Sequence, residues 1–203
     1  MDSIEKLAEY FKEFPGIGER QAKRFVYFLM SRNSQYSDNL SKLIIDLKKE
    51  IAQCKECFRF FNTGMRNTSM ICDLCSDPKR DKSTLIVVEK DSDLESVRKS
   101  RLYNGMYFVL GGLVPIIEKN TPTKVRLNEL KEKIKSGAFT EIILAFSISP
   151  QGDHTDFYIR SQIKDICEPA NIKISSLGRG LSTGTEIEYS DNETIKNALK
   201  NRQ

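Results

Sequence analysis

The apolar positions of the first fifty residues recur with a helical period. Ile4, Leu7, Ala8 and Phe11 are spaced i, i+3, i+4, i+7 and define one face of a first helix, with Ser3 as its candidate cap. FPGIG interrupts it. Ala22, Phe25, Val26 and Leu29 then mark a second helix, and Leu40, Leu43, Ile44, Leu47 and Ile51 mark a third from about Ser37. The expectation is a small all-helical N-terminal unit. After the cysteine-bearing middle of the chain the pattern changes. TLIVVE, MYFVL, EIILAF and NIKISSL are short β-rich runs, with helical stretches at roughly Asp93 to Arg101, Lys124 to Ser136, Thr155 to Cys167 and Glu193 to Asn201. This alternation predicts a mostly parallel sheet covered by helices, with functional residues at the C-terminal ends of the strands.

Composition agrees with a folded chain. Of 203 residues, 39% are hydrophobic and 30% charged, and the formal charge of +4 permits a nucleic-acid partner without requiring one. The N-terminus MDSIEKLAEYF carries acids and no apolar h-region, and no apolar run reaches the ~18 residues of a membrane span. A cytoplasmic protein without membrane contact is expected.

Two glycines flank the break between the first helices, in FPGIGERQAKR. Gly16 and Gly18 let the chain turn where a side chain would resist, and they leave the amides at the start of the second helix uncovered. A phosphate could lie against those N–H groups with the helix dipole behind it. Arg20 and Arg24, four residues apart, share the adjoining helix face. A plain helical corner with surface arginines is the simpler reading of the same residues.

Cys54 and Cys57 form one C-x2-C pair and Cys72 and Cys75 another, with residues 58 to 71 between them. Four thiolates at this spacing suit a tetrahedral zinc ion with no open position, hence a structural site. A segment so poor in large apolar residues would need the ion to stay folded. Cys167, alone at a helix end, reads as a small buried hydrophobe.

Acids stand where an α/β crevice would place ligands. Glu89 ends LIVVE, and Asp153 and Asp156 lie in QGDHTD after IILAF. A magnesium-dependent phosphodiester enzyme needs several carboxylates to converge, yet Gln151 stands where an acid would be expected. His154, the single histidine, has no evident orienting partner and reads as a turn or surface residue. Walker A and nucleophile-elbow sequences are absent.

In this order the segments resemble the RecR family of bacterial recombination mediators almost end to end. FPGIGERQAKRFVYFL resembles its helix-hairpin-helix, and the paired C-x2-C its zinc finger. LIVVEKDSDL, YFVLGGLVPI and IILAFSISPQGDHTDFYI resemble blocks of its Toprim domain, and LGRGLSTGTEIEYSDNETIKNALKNR its C-terminal tail. The resemblance implies a multi-module α/β chain: a helical helix-hairpin-helix unit at 1–53, a C4 zinc finger at 54–77, a Toprim domain with a mostly parallel sheet at 78–176, and a helical tail at 177–203. It implies a cytoplasmic, nucleoid-associated, non-enzymatic DNA repair protein. Such a protein acts with RecO, and in the family with RecF, to load the recombinase RecA on single-stranded DNA coated by single-strand-binding protein. It also implies dimers or ring-like tetramers able to encircle DNA.

Carried over by position, Gly16, Gly18, Arg20 and Arg24 fall in the family's DNA-binding motif. Cys54, Cys57, Cys72 and Cys75 match its zinc ligands, and Glu89 and Asp153 fall on the acidic face associated with partner contact. The family usually has an acid in place of Gln151, alanine in place of Gly178 and proline in place of Ser182. The first departure opposes Toprim catalysis, and a magnesium-dependent Toprim-type nuclease is the alternative.

Overall fold

The computed structural model describes residues 1–64, 69–116, 125–178, 180, 181, 184 and 186–200, with the backbone alone at 193 and 200. Lys124, Ser182 and Asn201 lie outside the described residues. Two compact units are present, Met1–Ala52 and Gln53–Gln203.

In the first unit α1 (Ser3–Lys12), α2 (Glu19–Met30) and α3 (Ser34–Glu50) are the three helices expected from the periodicity. The cap of α1 is Asp2 rather than Ser3. Its carboxylate accepts from the Glu5 N–H at 2.8 Å while Glu5 accepts from the Asp2 N–H at 3.1 Å, a reciprocal box that a serine one residue later could not close. Ala8, Ala22 and Val26 are buried between α1 and α2, with Ile4, Phe11 and Ile17 packed around them. Phe11 meets Phe14 and Phe25 edge-on at 5.8 and 5.7 Å between ring centroids. The apolar face of α3 buries nothing: Leu43, Ile44 and Leu47 are all more than half exposed.

A short strand, β1 (Ile51–Gln53), runs across the boundary at residues 52 and 53, and the second unit then has a short strand, β2 (Phe60–Asn62), and a single turn of helix, α4 (Asp73–Ser76). A four-stranded sheet follows: β3 (Asp81–Val88), β4 (Gly105–Val109), β5 (Glu141–Ala145) and β6 (Lys173–Ser176), in the order β4-β3-β5-β6 and parallel throughout. Helices α5 (Asp91–Ser100), α6 (Leu127–Ser136) and α7 (Pro150–Cys167) connect consecutive strands, and α8 (Asn192–Lys200) lies near the end of the chain.

Both faces of the sheet are covered, which is why its central strands read as unbroken apolar runs. Leu85, Val87, Phe108, Ile142 and Leu144 point to one face and pack with Leu130 and Ile134 of α6 and Ile159 and Ile163 of α7. Ile86, Val88 and Tyr107, alternating with them, turn to the other face, and α5 contacts β3 and β4 with Leu94 buried.

Arginines close the outer edges of this sheet. On β4, the outward carbonyl of Gly105 accepts from Arg80 Nε and Nη2 at 3.0 and 2.8 Å, and that of Val109 from Arg126 Nη1 at 3.0 Å. On β6, the carbonyl of Ile174 accepts from Arg160 Nη1 at 2.9 Å.

Helix α7 begins at Pro150, five residues before the expected Thr155. Ser149 caps it by accepting the Gly152 N–H at 3.0 Å, and Pro150 occupies the first turn, where a missing N–H costs nothing. QGDHTD is therefore helical, and Asp153 and Asp156 both sit in the opening turns.

Candidate functional site

Three groups of residues singled out by the sequence have defined surroundings. At the glycine hairpin, Phe14, Pro15, Gly16 and Ile17 form a tight turn closed by the Ile17 N–H to the Phe14 carbonyl at 3.0 Å. Pro15 precedes Gly16 at φ +77°, the proline-glycine pairing of a type II turn, and a side chain at position 16 would be strained. Gly18 differs from the expectation. It is the cap residue of α2 at φ −88°, which any residue adopts, and it supplies no side-chain cap. Its effect is to leave the first amides of α2 without a side-chain acceptor. Arg20 and Arg24 are exposed on the first two turns, beside an ion pair of Lys23 with Glu19 at 2.7 Å.

The cysteines converge. The four Sγ atoms lie within 4.8 Å of one another, with Cys54, Cys57 and Cys72 fully buried and Cys75 half-buried. Cys57 and Cys72 are 3.6 Å apart, close to the ~3.8 Å edge of a tetrahedron with metal–sulfur bonds of ~2.3 Å. The N–H groups of Glu56 and Cys72 point at Cys54 Sγ at 3.4 and 3.3 Å, an arrangement that favours a thiolate. Hydrogen bonding from Cys57, then from Cys72 and Cys75, holds Cys54 far below the ordinary thiol range; the bond to Cys54, then those to Cys57 and Cys72, drive Cys75 far above it. Sulfurs this close cannot all ionise without a cation among them. The donor set fits a soft, tetrahedral metal ion.

The cysteine segment packs against the sheet domain. Phe58, in a left-handed conformation at φ 62°, curls the chain back after Cys57 and stacks edge-on against Phe108 of β4 at 5.3 Å. The Arg126 guanidinium lies 5.4 Å from the Phe58 ring, and Lys133 of α6 pairs with Glu56. Arg59 is 8% exposed and pairs with Asp73 of α4 and, at 3.3 Å, with Glu95 of α5. The expectation of a segment poor in apolar residues was incomplete: Phe61 and Leu74 are buried, and Phe58 joins the main core. Sequence reading missed Arg59 and Arg126, whose partners lie far away along the chain.

The acids occupy the strand ends. Strand order reverses between β3 and β5, which places the crevice of an open α/β sheet beyond Val88 and Ala145. Glu89 follows Val88 immediately; its carbonyl accepts from the Gly111 N–H at 2.9 Å, and its half-buried carboxylate lies 3.9 Å from Lys90 Nζ. Asp153 is exposed in the first turn of α7. Asp156 is committed elsewhere, with Arg160 at 2.6 Å and Ser176 at 2.5 Å. Gly152 fixes this end of α7, because a Cβ there would meet the Ser147 carbonyl oxygen at 1.9 Å. Thr155, fully buried, accepts from the Val114 N–H at 2.9 Å and donates to the Gln151 carbonyl at 2.7 Å. Among the described residues, the cysteine set is the group of three or more potential ligands that could hold a metal; the strand-end acids form no such group.

Among the described residues, no helix is long and apolar enough to cross a membrane.

Residues 84–177 match the Toprim domain, and residues 180–203 match the family described as RecR, C-terminal. The chain is 34% identical over 199 residues to the recombination protein RecR of Bacteroides thetaiotaomicron, covering 98% of this chain and 92% of that one. It is 35% identical over 200 residues to the RecR of Lactobacillus acidophilus, covering 98% and 96%, and 33% identical over 200 residues to that of Ureaplasma urealyticum, covering 98% and 95%. With likeness running from end to end and through the separate domain matches, the chain belongs to the RecR family of recombination proteins.

Proposed function

We propose that this chain is a cytoplasmic, non-enzymatic mediator of DNA repair that binds single- and double-stranded DNA without regard to sequence. It works as an oligomeric clamp, with RecO and in some settings RecF, to load RecA on single-stranded DNA coated by single-strand-binding protein. The observation carrying this reading is the hairpin. Gly16 turns the chain, Gly18 leaves the amides of α2 uncapped, and the exposed Arg20 and Arg24 flank that terminus. Such a surface suits phosphate oxygens, which position a protein but carry no base information.

Zinc is the ion assigned to Cys54, Cys57, Cys72 and Cys75, as a structural centre with every position filled by sulfur. Glu89 and Asp153, at the strand-end crevice, are assigned to contact with RecO. The exposed stripe of Leu43, Ile44 and Leu47 on α3 supports assembly with further copies, because apolar patches of this kind mark interaction surfaces.

The test is fluorescence anisotropy of labelled single- and double-stranded DNA across a salt series. Arg20→Ala with Arg24→Ala weakens binding to all sequences alike and reduces the salt slope by about 2, because each arginine removed leaves one phosphate with its counterions still condensed on it. Equal binding by wild type and variant would remove the hairpin from the DNA interface. Magnesium-dependent nicking lost in Glu89→Gln would replace the mediator with the nuclease reading.

A further inference from the structure

Helix α5 leaves the crevice directly after Glu89 and Lys90, so it borders the strand-end acid. Its apolar anchorage is thin. Leu94 is its one buried residue, Val97 is half-buried, and the rest of its length is charged or small. Two polar ties supplement that anchor, one helical turn apart, and both come from consecutive residues of the cysteine segment. The Asp91 carboxylate accepts from the Phe60 N–H at 2.7 Å. The Glu95 carboxylate accepts from Arg59 Nη1 at 3.3 Å, and from Arg98 at 2.7 to 3.1 Å.

Arg59 reaches back the other way as well. Its second guanidinium nitrogen pairs with Asp73, the residue between Cys72 and Leu74, and its Nε is buried with no hydrogen-bond partner. The guanidinium thus bridges the second cysteine knuckle to α5. The guanidinium is itself buried while Asp73 is exposed and Glu95 half-buried, so its place depends on both anions being held, and Asp73 is held on α4 by the fold of the knuckle.

We propose that Arg59 is a positioning residue through which the four-cysteine metal centre holds α5, and with it Glu89, in register with the sheet. When the cysteines release their ion, the Cys72 knuckle loosens, Asp73 and Arg59 lose their fixed places, and the helix that follows the crevice acid is left on Leu94 and the half-buried Val97. The metal centre then acts on the strand-end crevice without lying in it. The functional importance of this coupling rests on the partner-binding role proposed for Glu89; the coupling itself does not.

Hydrogen–deuterium exchange of the full chain, followed by mass spectrometry, tests it. Chelation with a thiol-compatible chelator should accelerate exchange of the wild-type amides of residues 91–100 about tenfold beyond any change in the buried amides of 156–166 in α7, which report the stability of the unit as a whole. Glu95→Ala combined with Asp91→Ala, which removes both acceptors and spares the cysteines, should already show the faster exchange with its metal retained by elemental analysis, and chelation should add little more. Arg59→Lys is the second variant, which keeps a charge but loses the two-sided fork. It should give intermediate protection. Unchanged exchange of α5 on chelation would overturn the proposal, as would a variant that responds to chelation as fully as wild type. Binding of RecO, measured separately with Glu89→Gln, reports on the partner role: coupling without a binding defect would leave the inference standing and remove the assignment of Glu89.

Discussion

The N–H of Val109, at the end of strand β4, donates to the carbonyl of Cys57 at 2.8 Å. A metal-binding loop therefore supplies a hydrogen bond to the outer edge of the parallel sheet, and Phe58 beside it stacks on Phe108 of the same strand. Loss of the ion should reach the sheet. Cys72→Ser is expected to lose bound metal and to destabilise the whole Gln53–Gln203 unit by more than about 3 kcal/mol, since a structural ion contributes its binding free energy to folding. Elemental analysis with thermal unfolding checks this. A sheet transition unmoved by metal loss would contradict it.

Gly152 tolerates no side chain. The Cβ of Gly152→Ala would meet a main-chain oxygen, and neither the strand-end loop nor the start of α7 can yield without losing the Ser149 cap. A loss of about 2 kcal/mol or more in urea unfolding is expected, with α7 and β5 displaced together. Gly178→Ala, at a position with open space around the Cβ, serves as the contrast and should be close to neutral.

Thr155 joins α7 to the loop after β4 through its hydroxyl. Thr155→Val keeps the shape but orphans the Val114 N–H, at a cost of about 1–3 kcal/mol. Thr155→Ser should retain most of the stability. Equal losses from the two changes would show that the methyl group, not the hydroxyl, holds this junction.

Tyr103 gives the fold an alkaline limit. Burial, the largest cause, pushes its phenol up to about 12, and its hydroxyl donates to the Met106 carbonyl at 3.0 Å while its ring meets Tyr107 edge-on at 5.2 Å. Because the folded value lies above the unfolded one of about 10, this contribution is complete below pH 10 and is lost as pH rises toward 12. Wild-type stability should fall across that window. In Tyr103→Phe the fall should be smaller, as read from thermal unfolding at stepped pH.

Much of this architecture is legible in the residue pattern. Strands buried on both faces read as continuous apolar runs, so β3, β4, β5 and β6 stood out, and the helical period marked α1, α2 and α3. The cysteine spacing announced its cluster because ligand geometry is local. The start of α7 did not show, since Pro150 and Gly152 look like loop residues until Ser149 is seen capping them. Strands β1 and β2 and helix α4 are three or four residues long, too short for any period to emerge. Arg59 left no signal at all, because its bond to Glu95 spans thirty-six residues and depends on two separate segments being folded together.

The arginines at the sheet margins carry a consequence for how copies of this chain can meet. Arg80, Arg126 and Arg160 occupy outward carbonyls that an incoming strand would need, on β4 and on β6 alike. Extension of the sheet from one molecule into the next is thereby disfavoured at both margins. Contacts between copies would then fall to helices and loops, and the open-ended stacking to which bare strands are prone is avoided.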